Sequence, residues 1–324
     1  MKVLLPTAIP LDPELPDGVV AVAYDPAERV PAEHRDAGGV VIWGNPRPRL
    51  REMAADLPRL RWVQSLAAGP DAALSGGFAD DVVLCGGAGL HDAPVTEHAL
   101  ALILALVRRL PASAAAQHEH RWARELGGRQ PLHPGRPVTT LLGARVVLWG
   151  FGSIAQRLAG VLTSLGAEVR GIARSAGTRA GYPVTAVENA EAELAGADVL
   201  VLLLPGLPEN EKILDARLLC ALPAGAYVVN VGRGSTVDEE ALREVLESGW
   251  LAGAALDVTE TEPLPADSPL WDTHNLVITP HAAGGRPVGA DELIAANLRA
   301  LVDGGELRNI IAREPTARTT AAQP

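Results

Sequence analysis

The chain has 324 residues, 28 Lys and Arg against 39 Asp and Glu, a formal net charge of −11 and two cysteines. The acidic balance excludes nucleic acid or an anionic membrane surface as the main partner. This length leaves room for two domains of roughly 100–200 residues, enough to bury about 75% of the unfolded surface without a disulfide or a structural metal.

Cys85 and Cys220 stand far apart in apolar runs and read as small buried hydrophobes in a reducing compartment. The start, "MKVLLPTAIPLDPELP", has prolines and acids where a signal peptide needs an apolar core, so a cytoplasmic protein is expected. His118 and His120 are two apart with no cysteine or second His pair nearby, so no metal site is expected.

Short apolar runs alternate with helical ones, which predicts an α/β chain with mainly parallel sheet. In the first hundred residues strands are expected at Val3–Leu5, Val19–Tyr24, Val40–Trp43, Trp62–Ser65 and Val82–Cys85, with turns and short helices such as "PRLREMAADLP" between them. One long helix follows, Val95 to Leu110, opened by Pro94 and closed by Pro111. Its most apolar stretch, Ala99 to Val107, is too short to span a bilayer. Next, "ELGGRQPLHPGRPVT" has no apolar period and reads as an exposed arm or linker.

From Arg145 the alternation is cleaner. Strands are expected at Val146–Trp149, Val169–Ala173, Val199–Leu203, Tyr227–Val231, Gly253–Val258 and Leu276–Thr279. The fourth leads into a helix, "VDEEALREVLESG", with acids in its first turn and Gly249 at its end. The tail "AREPTARTTAAQP" is polar and expected to be disordered. Six strands with intervening helices make one complete doubly wound domain.

The first of those strands meets Gly150-Phe-Gly152-Ser153-Ile154-Ala155. The first glycine permits a tight strand-to-helix turn. The second lets the backbone approach a pyrophosphate seated on free helix N–H groups, and Ala155 still allows close helix–strand packing. Strand, helix and second strand follow at the spacing of a dinucleotide site. The acid that would bond the ribose 2′-OH of NAD is missing; Arg174 and Ser175 stand there, with Arg179 nearby. A guanidinium and a hydroxyl favour a 2′-phosphate, hence NADP, with NAD as the weaker alternative.

Three further strand ends carry reactive groups. Arg233 lies between Gly232 and Gly234, and its fork suits a carboxylate. Asp257 ends a strand with Glu262 five residues on, and His281 follows the last strand. Arg, Glu and His thus stand at three successive strand ends of one dinucleotide-binding sheet, a conjunction that chance does not readily give.

With "GFGSIA", "LLLPGLPEN", "VNVGRGSTVDEEAL", "ALDVTETEPLP" and "TPHAAGG" in this order, roughly residues 40–305 closely resemble the D-isomer-specific 2-hydroxyacid dehydrogenase family. The resemblance implies Arg233 as the substrate anchor, His281 as the acid/base and Glu262 as its partner. It implies two doubly wound parallel-sheet domains. A Rossmann-type cofactor domain (97–282) is inserted into a discontinuous flavodoxin-like substrate domain (1–96 and 283–324), with a cleft that closes on substrate. Cofactor contacts are expected from Gly150, Gly152, Ser153, Ile154, Arg174, Ser175, Pro205, Val231 and, in a supporting role, Asp257. "SLAAGPD" resembles the family loop whose backbone N–H groups, here near Ala68 and Gly69, hold the substrate carboxylate.

Trp43, Leu66 and Leu90 are candidates for the pocket wall, Trp43 equally for the core; Arg47 and Arg49 meet a second acidic group or coat the surface. His91, Glu97 and His98 are expected to be structural. The segment "HEHRWARELGGRQPLHPGRP" resembles the family's dimer arm, implying a homodimer. With no further domain after residue 305, a serine-regulated phosphoglycerate dehydrogenase is not expected. Glyoxylate or hydroxypyruvate is the implied substrate. A dinucleotide-responsive corepressor and a phosphite-type oxyanion dehydrogenase are the alternatives on the same scaffold.

Overall fold

The computed structural model describes residues 1–130 and 135–312. The expected tail from residue 313, and residues 131–134 of the expected arm, lie outside them. The chain divides into two compact units, one running from Met1 to Leu90 and resuming at Pro287, the other His91–Arg286.

In the first unit the expected strands form β1 (Lys2–Pro6), β2 (Val20–Tyr24), β3 (Gly39–Ile42), β4 (Trp62–Ser65) and β5 (Val83–Cys85), with α1 (Arg47–Asp56) and α2 (Asp71–Leu74) between them. The sheet is parallel in the order β2-β1-β3-β4-β5. This is the flavodoxin-like order. Alternate residues point to opposite faces. Leu4, Val40 and Val63 join Leu50 and Met53 of α1 in one core layer, while Val3, Val41 and Trp62 face the other.

The second unit opens with α3 (Asp92–Val107) and α4 (Leu110–His118). The single helix expected from Val95 to Leu110 is thus two, broken at Arg109, whose φ is +53°. Pro111 does not close a helix; it sits in the first turn of α4. A proline there has no intrahelical N–H bond to lose, so it fits a start as well as a stop.

The sheet follows: β6 (Arg145–Trp149), α5 (Ser153–Ser164), β7 (Glu168–Ala173), β8 (Gly177–Arg179), β9 (Tyr182–Ala186), α6 (Ala190–Leu194), β10 (Val199–Leu202), α7 (Ala216–Ala221), β11 (Tyr227–Asn230), α8 (Glu239–Glu247), β12 (Gly253–Leu256) and β13 (Leu276–Ile278). Its order is β13-β12-β11-β10-β6-β7-β9-β8, and only β8 runs antiparallel. Val146 and Leu148 pack towards α3 and α5, Val147 and Trp149 towards α6, α7 and α8. Both faces are covered, which is why these strands read as continuous apolar runs.

Six strands were expected here and eight are present. The extra pair is a hairpin whose two-residue loop, Ala180–Gly181, has φ of +50° and +86°, the signature of a type I′ turn. Three polar or small residues in β8 and Pro183 in β9 hide it from a search for apolar runs.

The chain then returns to the first unit as α9 (Ala290–Asp303), whose Leu293, Ile294 and Leu298 cover the Val3, Val41 and Trp62 face. Cys85 is buried as expected, whereas Cys220 is exposed. On the single turn of α7, Leu218 and Leu219 take the buried side and turn Cys220 outwards. No single helix among the described residues is long and apolar enough to cross a membrane.

Candidate active site

Because β6, β7 and β10–β13 are parallel, their carboxyl ends lie along one edge. The strand order reverses between β6 and β10, the point at which open α/β sheets bind ligands. Gly150 turns the chain there with φ +99°, and a Cβ would lie 2.7 Å from the Leu203 carbonyl oxygen. Gly152 is the N-cap of α5, and a Cβ on it would meet nothing within 4 Å. Free N–H groups at a helix N-terminus beside bare space suit a pyrophosphate.

Around that turn, Ser153 donates to Asp92 Oδ1 (2.8 Å) and Ile154 packs on the core. Val231 is buried with its N–H on the Leu202 carbonyl, and the Pro205 carbonyl accepts from Asn210 Nδ2. At the end of β7, Arg174 and Ser175 are exposed, and Arg179 Nη2 donates to Ser175 Oγ at 3.0 Å. Two guanidiniums and a hydroxyl at the ribose-recognising strand end fit a phosphorylated dinucleotide.

Arg233 sits just past β11, half-buried. Its loop hangs on Asn230, a fully buried amide. Asn230 Nδ2 donates to the Arg233 carbonyl (3.0 Å) and its Oδ1 accepts from Gly232 N (3.0 Å). Thr236 Oγ1 donates to the same carbonyl, and Arg233 Nη1 to the Gly232 carbonyl. A Cβ at Gly234 would fall 1.9 Å from the Thr259 carbonyl carbon, so only glycine lets this loop lie against the next one. Asn230 was not singled out from the sequence, although the lone amide ending the run "YVVN" is a legible signal.

That next loop carries Glu262. Its Oε1 accepts from Thr259 N (3.1 Å) and its Oε2 lies 2.8 Å from His281 Nδ1. The His281 and Glu262 side chains are 46% and 38% exposed, so the imidazole is open to a small molecule. His281 has φ +51°, rare for a side-chain-bearing residue and held only where neighbours over-determine it. Asp257 is 1% exposed. Its Oδ1 accepts from Ala282 N (2.8 Å) and Thr279 Oγ1 (2.6 Å), its Oδ2 from Ala283 N (3.0 Å). The second unit thus brings Arg233, Glu262, His281 and the glycine turn to one sheet edge.

In the first unit, Ala68 is exposed and Gly69 half-buried in the loop after β4. That loop lies on the one after β5, where Gly87 N donates to the Ala67 carbonyl (2.9 Å). Leu66 and Leu90 are both buried in the core layer that α9 covers, with Trp43 packed beside them. Arg49 coats the surface, bonding the Ala27 carbonyl and Glu52. Arg47 is exposed. His91, the residue before α3, is buried; on α3, Glu97 is exposed and His98 reaches Thr279 and Asp257.

The sequence pattern described as "D-isomer specific 2-hydroxyacid dehydrogenase, NAD binding domain" matches residues 100–283. A glyoxylate/hydroxypyruvate reductase A of Serratia proteamaculans is 35% identical over 283 residues, 85% of this chain and 86% of that protein. Among solved structures, a D-isomer specific 2-hydroxyacid dehydrogenase from Xanthobacter autotrophicus, in complex with NADPH and MES, is similar with a TM-score of 0.78. It is 28% identical, covering 96% of this chain and 98% of that one. An NADPH-dependent glyoxylate/hydroxypyruvate reductase from Sinorhizobium meliloti, in complex with NADP and sulfate, is similar with a TM-score of 0.79. It is 25% identical, with coverage of 96% and 98%.

The doubly wound sheet and its edge define a nicotinamide-dependent oxidoreductase. The chain belongs to the D-isomer-specific 2-hydroxyacid dehydrogenase family. It is an NAD(P)-dependent enzyme of small 2-hydroxy and 2-keto acids.

Proposed function

We propose that the enzyme works as an NADPH-preferring reductase of small 2-keto acids, glyoxylate or hydroxypyruvate first among them. The observation that carries the assignment of roles is the 2.8 Å contact of His281 Nδ1 with Glu262 Oε2, on the sheet edge that also holds Arg233 and the glycine turn. The relatives named as glyoxylate/hydroxypyruvate reductases support the substrate class.

A nicotinamide dinucleotide held by the Gly150–Gly152 turn and by Arg174 and Ser175 would supply the hydride for the carbonyl carbon. Arg233 grips the carboxylate and polarises the carbonyl oxygen. Glu262 takes the proton on His281 Nδ1 as its hydrogen bond, which fixes the ring and leaves Nε2 to pass a proton to the developing alkoxide. In the reverse direction neutral Nε2 accepts the hydroxyl proton. In the first unit, which we take as the substrate domain, the backbone N–H groups of Ala68 and Gly69 hold the carboxylate.

Arg174, with Ser175 and Arg179, reads the 2′-phosphate, consistent with the relatives solved with NADPH or NADP. Two free thiols, Cys85 and Cys220, suit the reducing cytoplasm. The 88% exposed Trp122 in the expected arm supports a homodimer, checked by sedimentation of the wild type against Trp122→Ser.

The test is the initial rate of NADPH and NADH oxidation with glyoxylate, hydroxypyruvate, pyruvate and a branched 2-keto acid. His281→Gln should lower kcat by about 10²–10⁴-fold. Arg174→Ala should raise KM for NADPH by about tenfold while leaving NADH within about twofold. An NADH preference in the wild type sinks the cofactor assignment, and full activity of His281→Gln sinks the proton-donor assignment.

A further inference from the structure

We propose that His98, on α3, is a positioning residue for His281, acting through Thr279 and the Asp257 carboxylate. The inference rests on the reading of His281 as proton donor.

Three hydrogen bonds that hold His281 and the two residues after it converge on Asp257, and His281 N also reaches the Thr279 carbonyl at 3.0 Å. The Asp257 main-chain oxygen accepts from His281 N at 2.7 Å, and its carboxylate takes the next two amides, Ala282 N at 2.8 Å and Ala283 N at 3.0 Å. The Asp257 side chain is 0% exposed and the His98 side chain 22%. His98 Nε2 lies 3.1 Å from Asp257 Oδ1 and 3.0 Å from Thr279 Oγ1.

Thr279 spends its single proton on Asp257 Oδ1 at 2.6 Å. Its oxygen can therefore only accept from the imidazole, so Nε2 of His98 carries a proton whatever the charge of the ring. That N–H is shared between the threonine oxygen and the carboxylate. It ties the carboxylate to a helix outside the β12–β13 loops.

A dry carboxylate held by two amides and a hydroxyl still needs its remaining lone pairs met, or the network loosens. His281 is the residue that would move, because its φ of +51° is a strained state that this network helps to hold. With the His98 N–H gone, the 279–283 loop gains freedom and the imidazole loses its fixed aim. Proton transfer suffers more than binding, since the carboxylate grip and the dinucleotide turn rest on other loops.

The test compares His98→Leu, which removes the donor, with His98→Gln, whose amide N–H can replace it. Rates of 2-keto acid reduction are read beside the imidazole NMR signals of His281 in ¹⁵N-labelled protein, identified by their loss in His281→Gln. His98→Leu should lower kcat by about 10–100-fold with KM and cofactor Kd within about twofold, and should shift or split the His281 signals. His98→Gln should recover kcat to within about threefold of wild type.

Wild-type kcat and unmoved His281 signals in His98→Leu overturn the proposal, as does equal impairment of the Leu and Gln variants. If His98→Leu does not fold, Thr279→Val against Thr279→Ser makes the same comparison one bond further on. If the wild type reduces no 2-keto acid, the functional reading fails, and the His281 signals alone decide the role of His98.

Discussion

The two sheets of this molecule present their carboxyl edges in different chemical terms. In the second unit the edge is furnished with side chains: Arg174 after β7, Arg233 after β11, Glu262 after β12 and His281 after β13. In the first unit the loops after β4 and β5 read Leu66-Ala-Ala-Gly69 and Gly86-Gly-Ala-Gly89, with no charged or titratable group. One edge can transfer protons and pair charges. Those two loops of the other can offer only backbone N–H and C=O groups.

The supports differ to match. Asn230 and Asp257, both buried, spend their side chains on the loops that carry Arg233 and His281. Gln64, a buried amide of the first unit, spends its own on backbone carbonyls and a helix: it donates to the Ser65 and Gly86 carbonyls and accepts from Asn297 of α9. Buried polar groups persist where they are satisfied, and here they mark which loops must be held to fractions of an ångström.

The comparison breaks most visibly at Arg233. Arg233→Ala should cut kcat/KM for a 2-keto acid by about 10³-fold or more, and Arg233→Lys should recover only part of it, because a point charge cannot reproduce a two-point fork. The corresponding side-chain change in the first unit should do little: Ala68→Ser should stay within about threefold in kcat/KM. Ala68→Pro, which deletes the N–H and leaves the side chain small, should raise substrate KM by about tenfold with cofactor Kd unchanged. If Ala68→Ser and Ala68→Pro behave alike in steady-state kinetics, the first unit is not working through its backbone.

Much of this was legible before the structure, for a physical reason. A parallel sheet covered on both faces makes each strand an apolar run, and polar groups just past its carboxyl end stand out. The proposed site residues Arg233, Glu262 and His281 follow such runs within six residues, behind Asn230, Asp257 and Thr279. The hairpin of β8 and β9 lies at a sheet edge, where no such run is needed, and at the break at Arg109 the nearby Pro111 reads as a stop although it starts α4. Leu66 and Leu90 looked available to a ligand because the helix that buries them, α9, comes some two hundred residues later. The roles of Asn230 and Thr279 depend on which amide or carboxylate the fold brings to them, and no spacing rule reports that.

The smallest effect tests what lies beneath the charged edge. Glu239 opens α8, where an acid is normally welcome. Here its Oε1 accepts from Glu260 N, the carboxyl is partly buried, and Glu260 and Glu262 lie close enough to repel it. Burial first, then those neighbouring charges, hold its pKa above the ordinary 4.5, against the Glu260 amide and Lys212, which pull it down. A carboxyl raised in this way favours the fold most when protonated. Its contribution is complete below the unfolded value and is lost as pH rises through the folded one. Glu239→Gln keeps an acceptor oxygen for Glu260 N and removes the charge. Its Tm should exceed that of the wild type by roughly 1–2 °C at about pH 8, with the gap closing as pH falls to about 4.5. A variant less stable than wild type at about pH 8 would mean that the ionised carboxylate is worth more to the Glu260 amide and Lys212 than its burial costs.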